Sequence, residues 1–279
     1  MSGRTIVITG ASDGIGAAAA RKLSGRGENV VIVGRSEQKT TAVAAELGAD
    51  FFIADFADLS QVRRLANQLL ERYPQIDVLA NNAGGVMPAQ RRLTRDGHEM
   101  TFQVNHLASF FLTRLLMDRL IESGATIINT SSVGNRINAR IDIDDLEYER
   151  KFSSTKAYAD TKLENILFTK ELHRRYHERG ISTAAFHPGN VASNFSSESG
   201  LLLFRAVFQT PLKHLILISP EKGAEEMVWL ASSTPGVDWQ SGEYYTKHRI
   251  GKVNKQAHDR KLAAELWERS EAILAEHCL

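Results

Sequence analysis

The stretch Arg4-Thr5-Ile6-Val7-Ile8-Thr9-Gly10-Ala11-Ser12-Asp13-Gly14-Ile15-Gly16 decides the fold. Its first six residues have the β-branched enrichment of a buried strand, and a glycine-rich turn follows at once. Glycine there permits a tight turn, lets the backbone approach a pyrophosphate, and lets the next helix pack closely on the sheet. The N-terminus of that helix, from about Ile15, favours an anion. A glycine-rich turn alone is a weak signal, but here a strand precedes it and the Ala-rich run Ala17 to Leu23 follows, which is the context of dinucleotide binding. The same residues fit Gly10-x-Ser12-x-Gly14, the nucleophile elbow of α/β-hydrolases, with Ser12 as nucleophile. That elbow lies deep in its sheet after several strands, whereas this one follows the first, so a serine hydrolase is the lesser alternative.

Outward from the turn, strand and helix signals alternate. Asn29 to Gly34 reads as a second strand, Glu37 to Leu47 as a helix, and Asp50 to Ile53 as a third strand leading to Ala54-Asp55-Phe56. Asp58 or Ser60 can cap the next helix, with Val62, Leu65, Ala66 and Leu69 at helical spacing. Val78-Leu79-Ala80 ends in Asn81-Asn82-Ala83-Gly84, Thr126 to Asn129 ends in Thr130-Ser131-Ser132, Ile181 to Phe186 ends in His187-Pro188-Gly189, and Gly242 to Tyr245 supplies a short last strand. This regularity predicts an α/β fold, a doubly wound parallel sheet of about seven strands with helices on both faces. Such sheets place their ligands at the carboxyl ends of the strands.

The end of the second strand bears on the nucleotide. An acidic residue there hydrogen-bonds the ribose 2′-hydroxyl of NAD, and an arginine instead accommodates a 2′-phosphate. The strand ends Val33-Gly34-Arg35-Ser36, with no acid before Glu37. NADP(H) is therefore favoured over NAD(H), with Arg35 stacking on adenine and pairing with phosphate.

In a helix from about Ser153 to Glu178, Tyr158 and Lys162 lie four residues apart on one face. A phenol loses its proton near pH ~10, and a cation held close lowers that value, which readies a tyrosine for proton transfer near neutral pH. The plainer reading of the pair is an aromatic beside a solvated lysine. A long helical pattern from Gly97 to Ile121 contains Asn105, a poor helix former that needs a hydrogen-bonding reason or an exposed face. The polar, acidic stretch from Val133 to Phe152 reads as an inserted surface segment. His173 and His177 have the i,i+4 spacing of a metal pair, but no third ligand is evident, so no metal site is expected.

Composition narrows the function. With 34 basic and 33 acidic residues the formal charge is +1, so no whole-protein field recommends nucleic acid or an anionic membrane. The single cysteine, Cys278, excludes an intramolecular disulfide and a cysteine-based zinc cluster. The N-terminus runs into a strand signal without the pattern of a secretory leader. A reducing compartment and a cytoplasmic location are the expectation.

Thr9-Gly10-x-x-x-Gly14-x-Gly16, Asn81-Asn82-Ala83-Gly84, Asn105, Ser132, Tyr158-x-x-x-Lys162 and Pro188-Gly189-x-Val191 follow the order and approximate spacing of the short-chain dehydrogenase/reductase family, which the chain resembles from Thr5 to about Tyr245. Within it, the long segment between Ser132 and Tyr158 and the run from Ala157 to Thr169 look like the branch of retinol dehydrogenases and the WW-domain oxidoreductase. The resemblance implies a Rossmann-fold oxidoreductase in which Tyr158 is the general acid in carbonyl reduction and the base in alcohol oxidation. Lys162 would lower its pKa and bind the nicotinamide ribose, Ser132 would hydrogen-bond the substrate oxygen, and Asn105 would hold the water of a proton relay. The cofactor would lie against Gly10, Ser12, Gly14, Ile15 and Gly16, against Arg35, Asp55 and Phe56, against Asn81, Ala83 and Gly84, and against Pro188, Gly189, Val191 and Ser193. Ser193 replaces the more usual Thr and keeps the hydroxyl.

The stretch after Val191 is apolar from Leu201 to Phe208 and from Leu212 to Ile218, but Arg205, Pro211, Lys213 and His214 break it, so it is too interrupted for a membrane span. It reads as a lid, within about 190–219, over a small lipophilic carbonyl or alcohol substrate; a peripheral membrane contact is the other reading. Ser219-Pro220-Glu221 is a strong helix start, and an amphipathic helix closes the chain from Asn254 to Glu276. One domain over residues 1–279 is the economical reading, and a homodimer stays open. A non-catalytic NADP(H) sensor on the same fold is the remaining alternative.

Overall fold

Ile6, Val7 and Ile8 are fully buried, Val7 in one hydrophobic core and its two neighbours in another. Successive side chains of a strand point to opposite faces, and a strand covered on both faces needs an apolar run without polar interruption. A computed structural model describes residues 3–85, 89–189 and 218–275. Its strands are β1 (Thr5–Thr9), β2 (Asn29–Gly34), β3 (Asp50–Ile53), β4 (Val78–Asn81), β5 (Thr126–Thr130), β6 (Ser182–Phe186), β7 (Glu243–Thr246) and β8 (Arg249–Ile250). They form one sheet in the order β3-β2-β1-β4-β5-β6-β7-β8, parallel except for β8. The direction of winding reverses between β1 and β4, and the crevice at that reversal is where such sheets bind ligands.

The principal helices are α1 (Gly14–Ser24), α2 (Glu37–Leu47), α3 (Leu59–Arg72), α4 (Ala108–Glu122), α5 (Ser154–Tyr176), α6 (Glu225–Ser232) and α7 (Arg260–Ala275). Helices α1, α2 and α6 share one core, and α3, α4, α5 and α7 share the other. Local signals start them: the side chains of Asp13, Ser36 and Asp58 accept backbone N–H groups at the first turns of α1, α2 and α3. None of the described helices is long and apolar enough to cross a membrane.

Three features depart from the sequence reading. The expected helix over Gly97 to Ile121 starts only at Met100 and has a π-turn over Gln103–Leu107 before α4. An eighth strand is present, joined to β7 by a two-residue turn in which Lys247 and His248 have φ of 54° and 55°. Non-glycine residues are strained there, and the turn is held by the Glu226 carboxylate, which accepts the His248 N–H at 2.9 Å, and by Trp229 stacked on the His248 ring. Third, the segment from Val133 to Phe152 is anchored rather than superficial: Ile141, Leu146 and Tyr148 are buried, the Tyr148 hydroxyl donates to Asp160, and Glu147 accepts the Glu99 N–H.

That segment is also strapped by the chain after β8. The Asn254 side chain donates to the carbonyls of Asn135 and Ala139, the Asn254 N–H donates to Asn135 Oδ1, and Gln256 exchanges two hydrogen bonds with the backbone of Ile141. His173 and His177 stack on one another and are used locally, with Nδ1 of His173 at 2.9 Å from the Ser241 hydroxyl and Nδ1 of His177 at 3.1 Å from the Ile181 carbonyl. Val191, Ser193, the apolar stretch from Leu201 to Leu217 and Cys278 lie outside the described residues.

Candidate active site

A cleft of about 650 Å³ opens at the carboxyl edge of β1, β2, β4, β5 and β6 and is lined by Gly10, Ser12, Gly14, Ile15, Arg35, Asp55, Phe56, Ala83, Gly84, Ser132, Tyr158, Lys162, Pro188 and Gly189 among others. Gly10 has φ +65°, and a Cβ there would stand 2.9 Å from Ala83 Cα, so the turn after β1 and the end of β4 are pressed together without room for a side chain. Thr9 fastens them. Its hydroxyl accepts the N–H groups of Asn82 and Ala83 at 2.9 and 3.0 Å, and the Asn82 amide donates back to the carbonyls of Thr9 and Gly10. The sequence motifs contain Thr9 and Asn82 without giving either a role, and the signal for it is the paired hydroxyl and amide at two strand ends.

Two expected contacts are corrected. Asn81 does not face the cleft: its side chain is buried and donates to Thr113 and Asn129, bracing β4 to β5 and α4. Gly16 lies beneath the turn, where a Cβ would stand 2.4 Å from the Gly10 carbonyl oxygen, so it serves helix packing and does not line the cleft.

At the other end of the cleft, Arg35, Ser36 and Lys39 come together, with Lys39 Nζ 2.7 Å from Asp13 Oδ2. Asp55 is fixed on the rim, its N–H donating to Gln61 and its carboxylate accepting the Ala57 N–H.

The hydroxyls after β5 divide the work. The buried Ser131 donates to the Lys162 carbonyl at 2.6 Å and pins α5 to the sheet. Ser132 faces the cleft, accepts the Gly134 N–H at 3.1 Å and hydrogen-bonds the Tyr158 phenol. Lys162, 2% exposed, donates to the Thr130 carbonyl at 3.2 Å, and its ammonium stands over the Tyr158 ring. Burial pushes the phenol up to about 12, and Ser132 pulls it back; burial brings Lys162 down to about 8. Ser132 supplies a downward pull on Tyr158, and the Lys162 cation stands over the face of the same ring.

Asn105 occupies the π-turn and is 1% exposed. Its Oδ1 accepts the Gly85 N–H at 2.7 Å, and its amide donates to the Gly85 carbonyl and the Thr161 hydroxyl. Both amide protons are engaged, so its side chain braces the Gly84–Gly85 loop against α5. No histidine of the described residues lines the cleft, which leaves Ser12 without an imidazole base there.

A family model for short chain dehydrogenases matches residues 4–201. The chain belongs to the short chain dehydrogenase family. A Streptomyces sp. (strain C5) protein named "Putative daunorubicin C-13 ketoreductase DnrU" is 40% identical, with 99% of this chain and 94% of that one aligned. Retinol dehydrogenase 13 of Homo sapiens is 35% identical over 96% of this chain and 83% of its own length. A solved but uncharacterised protein of Mycobacterium paratuberculosis superimposes with a TM-score of 0.76 at 32% identity, covering 97% of this chain and 92% of that one. This short chain dehydrogenase is of the retinol dehydrogenase-like type, an oxidoreductase of carbonyl and alcohol groups whose family binds a nicotinamide cofactor. The glycine cradle that a Cβ would fill at Gly10, set at the N-terminus of α1, fits the pyrophosphate of that cofactor.

Proposed function

We propose that the protein reduces an aldehyde or ketone of a lipophilic substrate, and oxidises the corresponding alcohol, with NADP(H) as hydride partner and Tyr158 as proton donor and acceptor. The observation that carries this reading is the convergence of Ser132, Tyr158 and Lys162 at the carboxyl end of β5, on the cleft that begins at the glycine cradle. When bound, the nicotinamide supplies or accepts the hydride.

The side chains do the rest. Charge gathering on a carbonyl oxygen is met by donors placed in advance, the hydroxyls of Ser132 and Tyr158, and the proton that completes the alcohol comes from the phenol. Lys162 keeps a cation beside the phenol ring, tethered to the sheet through Thr130. A phenol that keeps its proton at neutral pH suits the reduction direction.

Arg35 and Lys39 favour NADP(H), since both are cations on the rim at the end of β2, where the 2′-substituent of the adenosine ribose is read. The relatives named for daunorubicin and retinol, molecules that each carry an extended apolar ring or polyene portion, support a substrate with a lipophilic part. An NADPH-oxidation screen across aldehydes and ketones graded by chain length and ring count, with Tyr158→Phe as control, tests the reading. Turnover that survives in the phenylalanine variant, or none with any carbonyl, sinks it.

A further inference from the structure

The residue after β6, His187, is not among those lining the cleft, and neither the motif that contains it nor the chemistry above gives it work. Its backbone N–H donates to the Tyr245 carbonyl at 3.0 Å, which fixes the residue to β7. Its imidazole turns toward the loop that follows β5, where Nδ1 accepts the N–H of Val133 at 3.3 Å. Val133 is the neighbour of Ser132, so this bond sets the height of the loop at the point where the serine enters the cleft.

The rest of the turn shows why that height counts. Ser131 N–H donates to the Phe186 carbonyl at 2.8 Å, Gly134 N–H donates to Ser132 Oγ, and Asn135 donates through its backbone and side chain to the Ser132 carbonyl. With its oxygen accepting from Gly134, the Ser132 hydroxyl has its proton directed away from the loop, toward the phenol of Tyr158. Elements outside the turn also hold its two ends, Ser131 through its hydroxyl on the Lys162 carbonyl and Asn135 through Asn254. Between those ends, the imidazole of His187 is the side chain that holds Val133, the residue directly after Ser132.

We propose that His187 is a positioning residue, whose Nδ1 holds the Val133 N–H and thereby aims the Ser132 hydroxyl at Tyr158 and at the substrate oxygen; the inference rests on the site reading given above. An acceptor Nδ1 places the ring proton on Nε2, and the ring acts only while neutral. Burial keeps it so, holding the imidazole down to about 4.

Three variants of the full chain test this, assayed with the carbonyl best turned over in the graded series and with its alcohol. His187→Leu removes the acceptor. Val133→Pro removes the donor, and Val133 already has φ −57°, which proline adopts. His187→Asn keeps an oxygen at the position of Nδ1. Leucine and proline variants are expected to lose kcat by about 10- to 100-fold with KM for NADPH unchanged, and to carry the rising limb of alcohol oxidation to higher pH, because a misdirected Ser132 no longer pulls the phenol down. The asparagine variant retains the wild-type profile, and the leucine–proline double variant is no worse than either single one, since both remove the same bond. Thermal unfolding is measured first, and if the leucine variant does not fold, the proline variant decides. Wild-type kcat in the leucine or proline variant, a loss of kcat with the pH limb unmoved, or an asparagine variant as poor as leucine overturns the assignment. If Tyr158→Phe is inert while His187→Leu is normal, only the role of His187 falls; if Tyr158→Phe is active, the site reading falls with it.

Discussion

The Lys162 ammonium stands 5.6 Å from the centre of the Tyr158 ring, and donates to the Thr130 carbonyl at 3.2 Å. The cation therefore meets the negative face of the aromatic system and is held to the end of β5. Its charge stays with the phenol ring whether or not the phenol is ionised. At neutral pH the phenol, pushed up to about 12, is protonated, while Lys162, at about 8, is mostly charged.

A direction-dependent pH profile follows. Carbonyl reduction needs the protonated phenol and should change little between about pH 6 and 7, below the range where Lys162 loses much of its charge. Alcohol oxidation needs the phenolate, whose population rises about tenfold per pH unit below its pKa. Initial rates in both directions across pH 6–10 check this, and an oxidation rate independent of pH contradicts it.

Tyr158→Phe should lower turnover by roughly 10²- to 10⁴-fold, the usual span for a lost general acid, while NADPH binding measured by fluorescence stays near normal. Lys162→Met should instead weaken both, because its side chain lines the cleft and supports the Thr130 strand end.

Arg35→Asp should move preference toward NADH. Lys39→Met should weaken NADPH by about tenfold, the scale of one charge-assisted hydrogen bond, with little effect on NADH. Asp13→Asn should do the reverse, since it removes the anion that holds Lys39 and keeps an oxygen to cap α1. KM ratios for the two cofactors read all three, and an unchanged ratio in every variant contradicts the assignment of the rim.

Glu164 is fully buried on α5, with neither carboxylate oxygen hydrogen-bonded. Burial raises its pKa well above the ordinary value, and Asp160 and Glu99 add to the effect. The folded state thus binds a proton that the unfolded chain releases near pH ~4. The resulting stability is present at acid pH and drains away as pH rises toward the folded value. Glu164→Gln keeps the shape without the titration, so its Tm should fall less than wild type between pH 6 and 9, by about 2–4 °C for each kcal/mol recovered. Parallel Tm curves for the two proteins would refute this.

What the sequence disclosed was local. The strand into Gly10, the cap at Asp58, and the placing of Tyr158 with Lys162 on one helix face are decided within a few residues, and each is placed as the pattern required. What it hid was set by distant partners. The π-turn at Asn105 exists because its amide reaches Gly85 and Thr161, 20 and 56 residues away, and helical periodicity looks the same with or without the extra residue. Asn81 and Asn82 are adjacent amides with opposite duties, since a strand turns them to opposite sides. The β7–β8 turn lacks the Asn-Gly signal and relies on Glu226 and Trp229. Glu147, among the acids that made Val133 to Phe152 look superficial, turns inward to Glu99 and His98.

Asn254 lies 119 residues beyond Asn135 along the chain. Cradle, rim and the helix of Tyr158 leave the ribosome well before the strap that fastens the loop behind Ser132. The nascent protein can assemble a nucleotide groove before the strap exists, and competence for chemistry is then expected to arrive last. Pulsed hydrogen exchange during refolding would see the amides of Ala11 and Ala83 protected before those of Asn135 and Asn254, and simultaneous protection would show that the strap closes with the groove.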